Sequence, residues 1–153
     1  MFDFVSYSHT GGREGAAAAS CRIAEDGRAA SITDGSAGEE TLLCEVSVID
    51  GRATGSAGGD ARIYLFRDGD LAASADASIP LDEEVRPGDA LLLCTAGLWK
   101  YLFPTEIAVD CIKSKNAADW LEYLLVPLAE KTHLAADDFA VICGFLNDEG
   151  GTS

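Results

Sequence analysis

Apolar and polar residues alternate along the first half of the chain, and this pattern predicts β-strands. The segment FDFVSY at the start alternates in this way. Three further pairs of such segments are each joined by a short turn that contains Asp and Gly, which is typical of β-hairpins. The pairs are CRIA with AASI, LLCEVSVI with RATGSA, and ARIYLF with LAASA. The first half of the chain is therefore expected to form a β-meander.

The second half begins with ALLLC, a continuous apolar run that predicts a strand covered on both faces. Helices are expected after it. Asn116 is a suitable N-cap with Asp119 three residues later, and large apolar residues recur at helical spacing from Trp120 to Leu128. Pro127 is expected to bend this helix. The apolar run FAVICGFL predicts a last strand.

The length and composition indicate one folded domain. A chain of 153 residues that is 48% hydrophobic is long enough to bury one core of its own. We expect a single domain over residues 1–148, and residues 149–153 are expected to form a flexible tail.

The charge excludes two classes of partner. The chain has 26 acidic and 11 basic residues and a net charge of −15, which repels nucleic acid and anionic membrane surfaces. No apolar run is long enough to cross a bilayer. The five cysteines are odd in number, lie mostly in apolar runs and show no zinc-binding spacing. These features predict a cytoplasmic protein with reduced thiols.

Four stretches of the chain resemble motifs of the metal-dependent protein phosphatases of type 2C, and they occur in the order of that family. The matching stretches are TGGREGAAAA, SITDGSAGEE, GGDARIYLFRDGDL, and GDALLLCTAGLWKYL with AADDFAVICGF after it. Any one of these motifs is weak evidence, but the ordered set covers nearly the whole chain. The resemblance implies an α+β fold, a two-sheet antiparallel β-sandwich with flanking helices in an α-β-β-α arrangement.

The resemblance also implies a site that holds two divalent cations, which activate a water for attack on phosphorus. Mg²⁺ and Mn²⁺ prefer carboxylate ligands. Asp34 and Asp137 match two ligands of the family, and Asp138, where the family has asparagine, is a candidate third ligand. Ala96 stands where the family has a metal-binding aspartate, and the alanines at 16–18 replace Asn-Glu-Asp. These departures predict at most weak binding of one Mg²⁺ or Mn²⁺, and no cofactor at ordinary concentrations.

Arg13 aligns with the arginine that the family uses to hold the substrate phosphate.

Each of the candidate residues also has a simpler interpretation. Asp34 before Gly35 fits an ordinary turn, and Asp137 with Asp138 fits a solvated turn or the start of a strand. Arg13 lies between Gly12 and Glu14 and fits an exposed surface charge.

The spacing of the motifs predicts a missing layer. Members of the family place two long helices between the second and third motifs, but only about twenty-five residues separate these motifs here. One helical layer is therefore expected to be reduced or missing. LLCEVSVI and the strands around it are expected to give the uncovered sheet an apolar outer face, and such an exposed face usually marks an interface. We expect a homodimer or a protein partner at this face.

Two functions follow from these patterns. The first is a catalytically inactive phosphatase-like binding or regulatory module in signalling, with no catalytic residues and a phosphoprotein as a candidate partner. The alternative is a residual Mg²⁺- or Mn²⁺-dependent serine/threonine phosphatase with an altered ligand set. A small interaction domain unrelated to phosphatases would lack the two-sheet sandwich.

Overall fold

The computed structural model describes residues 2–9, 19–34, 41–132 and 139–146. Ten strands and three helices are formed by these residues. The strands are β1 (Phe2–His9), β2 (Ala19–Ile23), β3 (Ala29–Asp34), β4 (Thr41–Ile49), β5 (Arg52–Ala57), β6 (Arg62–Arg67), β7 (Asp70–Ala75), β8 (Leu81–Glu84), β9 (Ala90–Cys94) and β10 (Phe139–Leu146). The helices are α1 (Ala96–Trp99), α2 (Pro104–Lys113) and α3 (Ala117–Thr132).

The strands form two five-stranded antiparallel sheets. The first sheet has the order β1-β10-β9-β6-β7, and the second has the order β2-β3-β4-β5-β8. Their facing sides pack together through small and branched apolar residues, including Ile32, Val46, Ile63, Leu91 and Ile142, which are all fully buried. The predicted antiparallel sandwich is confirmed.

The three predicted hairpins are also confirmed, and their turns show why the sequence specifies them. Asp50 and Gly51 both have positive φ angles of 51° and 74°, and Asp68 and Gly69 have φ angles of 53° and 83°. Asp and Gly tolerate this left-handed region, and two such residues in a row match the twist of the flanking strands. The turns therefore fix the register of β4 with β5 and of β6 with β7.

All three helices pack on the outer side of the first sheet: α1 and α3 lie against β10, and α2 lies against β7. Asn116 caps α3 as predicted, because its side-chain oxygen accepts a hydrogen bond of 2.8 Å from the Asp119 amide. Trp120 is fully buried, donates its indole N–H to the Ile107 carbonyl at 3.2 Å and stacks on Phe145 at 5.4 Å. None of the described helices is long and apolar enough to span a membrane.

No described helix packs on the outer side of the second sheet, so the predicted loss of one helical layer agrees with the structure. The outer face is mixed: Leu42 and Ile49 of the segment LLCEVSVI are exposed, but polar residues lie between them. Cys44, Val46 and Val48 of β4 are buried against the first sheet, while Glu45 and Ser47 alternate with them and are more exposed. The apolar residues of LLCEVSVI serve mainly the interior of the sandwich, because alternate residues of a strand point to opposite faces.

One strand differs from the sequence-based expectation. Asp82, Glu83 and Glu84 show no alternation of apolar and polar residues, yet they belong to β8, which pairs with β5 at the edge of the second sheet. Pairing uses backbone groups, so three exposed acidic side chains do not prevent it. Charged residues on an edge strand also oppose pairing with other chains. β8 is therefore the edge strand of the second sheet, and its charged side chains oppose pairing with a strand of another chain.

Candidate functional site

The described strand ends that are nearest in sequence to the predicted site residues lie at one edge of the sandwich. In the first sheet His9 pairs with Phe139, and Arg62 pairs with Cys94, so these four residues mark the same edge. In the second sheet the register of Asp34 with Ala19 and Thr41 marks the corresponding edge. The two sheets meet at this side through β1 and β10 against β2. We call this side the motif edge.

The turn from β9 into α1 is held rigidly at the motif edge. The Thr95 amide donates a hydrogen bond of 3.2 Å to the Ala140 carbonyl, and the Ala140 amide donates one of 3.0 Å to the Thr95 hydroxyl. Because the Thr95 side chain bonds to β10, it does not cap α1. Ala96 is the first residue of α1, and Leu98 after it is fully buried. The position of Ala96 is therefore fixed from both sides.

Most of the predicted site residues lie outside the described part of the chain. Arg13, Asp137 and Asp138 belong to segments that the structure does not describe, as do the alanines at 16–18. For Asp34 the backbone is described at the end of β3, but its side chain is not. The backbone places the end of β3 and the start of β10, which directly follows Asp138, at the motif edge. The roles assigned to Arg13, Asp34, Asp137 and Asp138 stay predictions.

The described residues do not fit a dinuclear metal centre. Within residues 2–9, 19–34, 41–132 and 139–146, no three His, Cys, Asp or Glu side chains are grouped so that they could bind a metal ion. Ala96 has a methyl group where the resemblance places a carboxylate, and a methyl group cannot ligate a cation. Any metal would depend on Asp34, Asp137 and Asp138, whose side chains lie outside this description.

The cysteines do not supply an alternative nucleophile. All five are free thiols, and Cys44, Cys94 and Cys143 are fully buried. Burial raises the pKa of Cys44 and of Cys111 to about 12, and it also raises the pKa of Cys21. A thiol must ionise to attack an electrophile, and burial disfavours the thiolate, so these groups are weak nucleophiles near neutral pH. The prediction of buried, reduced thiols agrees with this arrangement for Cys44, Cys94 and Cys143.

An arginine and a tryptophan form a contact at the motif edge that sequence reasoning missed. The guanidinium carbon of Arg62 lies 3.6 Å from the centre of the Trp99 ring. The Trp99 indole N–H donates a hydrogen bond of 2.6 Å to the Asp60 carbonyl, which fixes the ring. Arg62 belongs to the motif stretch GGDARIYLFRDGDL, and this was the available signal. Trp99 is half-buried and packs partly against the core beneath the helices.

A groove lies at the end of the first sheet that is opposite the motif edge. It is an open groove of about 560 Å³, lined by Phe66, Phe145 and Leu146 from the sheet and by Ile112 and Lys115 from the helical side. No residue that the sequence assigned to the site lines this groove. The groove and the motif edge are therefore separate features.

Solved structures of phosphatases share this fold. The chain is similar to the photosystem II phosphatase PBCP, with a TM-score of 0.74, 11% identity, and coverage of 96% of this chain and 99% of that one. The chain is also similar to the serine/threonine phosphatase PstP/Ppp of Mycobacterium tuberculosis, with a TM-score of 0.76 and 16% identity. The match covers 95% of this chain and 99% of that one. A third similar structure is PppA, described as a key regulatory component of T6SS in Pseudomonas aeruginosa, with a TM-score of 0.75 and 15% identity. The match covers 94% of this chain and 97% of that one.

These similarities confirm the resemblance at the level of the fold, which is that of the type 2C phosphatases. No protein-family model matches the chain, and no curated protein matches it in sequence. The identities of these structures are too low to transfer an activity. Function must be argued from the residues at the motif edge.

Proposed function

We propose that this chain is a catalytically inactive, phosphatase 2C-like binding or regulatory module of a cytoplasmic signalling system, with a phosphoprotein as its partner. The observation that carries the proposal is Ala96, which begins α1 at the motif edge, directly after Thr95. Its methyl group cannot ligate a cation, and the hydrogen bonds between Thr95 and Ala140 fix the backbone beside it.

Charge supports the same proposal. Two divalent cations about 4 Å apart repel each other strongly unless several carboxylates neutralise them. Asp34 and Asp137 would contribute two negative charges against four positive charges, and Asp138 would add one more. A dinuclear centre with this ligand set would be under-neutralised, and the second cation would be weakly held.

The first prediction tests the loss of activity. Purified protein is incubated with an aryl phosphate in millimolar Mn²⁺, and release of the phenol is followed by absorbance. We expect a rate no higher than the blank without protein, because no cation pair is available to activate water. The variant Asp34→Ala is measured in parallel as the matched control.

Turnover by the wild type that disappears in Asp34→Ala would contradict the proposal. That result would favour the alternative, a residual metal-dependent serine/threonine phosphatase with an altered ligand set. Calorimetric titration of the same samples with Mn²⁺ is expected to show no more than one weak site. Tight binding of two Mn²⁺ ions would also argue for the alternative.

A further inference from the structure

Arg62 differs from the other half-buried arginine of the described chain in having no acidic partner. Arg67 is bound by the Asp89 carboxylate at 2.7 and 2.9 Å. Among residues 2–9, 19–34, 41–132 and 139–146, no carboxylate lies within ion-pair distance of Arg62. A half-buried guanidinium that has no carboxylate partner within the described part of so acidic a chain is unusual.

The surroundings of Arg62 leave part of its guanidinium available. One terminal nitrogen donates a hydrogen bond of 3.3 Å to the Tyr64 hydroxyl, and the flat face of the group lies on Trp99. Stacking occupies the face of a guanidinium but not the N–H groups around its rim. Within the described part of the chain, Nε and the second terminal nitrogen of Arg62 have no hydrogen-bond acceptor.

The neighbouring carboxylate is already engaged elsewhere. Asp76 accepts hydrogen bonds from the Ser78 amide and hydroxyl at 2.9 and 2.8 Å, and from the Ile79 amide at 3.2 Å. These bonds, those from Ser78 first, lower the pKa of Asp76, and the charge of Arg62 contributes least. Asp60 contributes its backbone carbonyl to Trp99, and its side chain forms no ion pair with Arg62.

Arg62 and Trp99 both lie at the motif edge. Arg62 pairs in register with Cys94, the last residue of β9, and Trp99 lies one helical turn after Ala96. Trp99 is fixed by its hydrogen bond to Asp60, so the cation is held on a rigid platform. A ligand bound by Arg62 would therefore sit beside the turn that carries Ala96.

We propose that Arg62, supported by Trp99, is an oxyanion-binding site that takes a phosphoryl or carboxylate group through the N–H groups that have no acceptor among the described residues. A planar fork of N–H donors matches two oxygens of such a group, and hydrogen bonds between charged partners are the strongest of their kind. The overall charge of −15 opposes the approach of anions, so binding depends on this local contact. This site would define which chemical groups the proposed binding module recognises. The biological role of the site rests on the proposed function.

The test is a titration of the metal-free protein with inorganic phosphate, followed by nuclear magnetic resonance. The probes are the indole N–H of Trp99, identified through Trp99→Phe, and the Nε–H of Arg62. We expect saturable shifts of both signals, while the indole N–H of the fully buried Trp120 stays in place. Parallel titrations with phenyl phosphate and benzoate distinguish a phosphoryl ligand from a carboxylate ligand.

Three variants decide whether Arg62 is responsible. Arg62→Gln is expected to weaken phosphate binding by about tenfold or more, because a charged hydrogen-bonding partner is lost. Arg62→Lys keeps the charge but not the fork, and it is expected to weaken binding severalfold. Arg52→Gln is the matched control, because Arg52 is exposed and paired with Asp82 at 2.6 Å, and it is expected to bind phosphate like the wild type.

The proposal is overturned if the wild type shows no saturable shift, or if Arg62→Lys and Arg62→Gln bind phosphate like the wild type. If Arg62→Gln loses its dispersed amide spectrum, Arg62→Lys decides alone. These titrations contain no Mn²⁺, so they are independent of the hydrolysis assay. Hydrolysis of the aryl phosphate would contradict the proposed function, whereas failure to bind inorganic phosphate would contradict only the oxyanion site.

Discussion

Asp89 is a buried carboxylate that joins three parts of the first sheet. Its side chain is about 1% exposed, and it accepts hydrogen bonds from Arg67 and from the Arg86 amide at 2.9 Å. Its backbone carbonyl accepts a hydrogen bond of 2.8 Å from the Leu146 amide. The residue thereby connects the end of β6, the turn before β9 and the end of β10. Nothing in the sequence distinguished Asp89 from the many exposed acidic residues.

Removal of the Arg67 side chain tests this connection. Arg67→Ala leaves the Asp89 charge buried without its partner, and we expect the free energy of unfolding to fall by about 3 kcal/mol. The matched control is Arg52→Ala, which removes an exposed ion pair and is expected to cost far less stability because solvent screens that pair. Urea unfolding followed by tryptophan fluorescence measures both. Equal losses in the two variants would show that burial of Asp89 carries no special cost.

The residues of the motif edge show where sequence reasoning reaches its limit. A motif reveals a substitution such as Ala96 directly, because it compares one position with a pattern. Contact between Arg62 and Trp99 depends on how β6 and α1 pack, and no local pattern encodes it. The sequence therefore assigned the phosphate contact to Arg13, while the oxyanion site that we propose uses Arg62.

At the level of elements, the sequence predicts most strands and hairpins because the signals are local. Alternation identifies β4 and β5, and the Asp-Gly turn between them fixes their register. The exception is β8, whose residues LDEE have no alternation. Its pairing with β5 follows from the sheet that is already present, so only the tertiary structure specifies it.

Glycine substitutions test the register of β4 and β5. A Cβ atom at Gly55 would overlap the Glu45 backbone carbonyl and lie 3.2 Å from the Val46 Cα, so the two strands would have to separate. We expect Gly55→Ala to destabilise the fold by about 1–3 kcal/mol, the usual cost of overpacking. Gly58→Ala is the matched control, because its nearest atom outside the neighbouring residues is the Leu43 carbonyl oxygen at 3.8 Å. Thermal unfolding of both variants gives the comparison, and an unchanged midpoint for Gly55→Ala would contradict this close packing.

At the scale of the whole molecule, the ordered motifs predicted the sandwich, and the short spacing between two of them predicted the loss of a helical layer. The polarity of the exposed sheet face was harder to predict. LLCEVSVI contains enough apolar residues to suggest an apolar outer face, but their alternation places most of them between the sheets. Which face of a strand becomes internal depends on the position of the other sheet.

Self-association through the outer side of the second sheet remains a prediction. Because Glu45 and Ser47 lie on that side and each chain has a charge of −15, we expect a weak dimer that is favoured by added salt. Light scattering over a concentration series at low and high salt measures it. Ser47→Glu is expected to weaken the dimer because it adds negative charge at the interface, whereas Val126→Glu on the exposed side of α3 is the control. A dimer that is broken by Val126→Glu alone would place the interface on the helices.

The buried thiols give the protein internal reporters of its own unfolding. Cys94 and Cys143 lie in the central strands β9 and β10 and are fully buried, so an alkylating reagent reaches them only when the sheet opens. Cys111 lies on α2 and is partly exposed, so local fraying of that helix is enough to release it. Alkylation rates at these positions therefore separate local fluctuations from global unfolding without any added label.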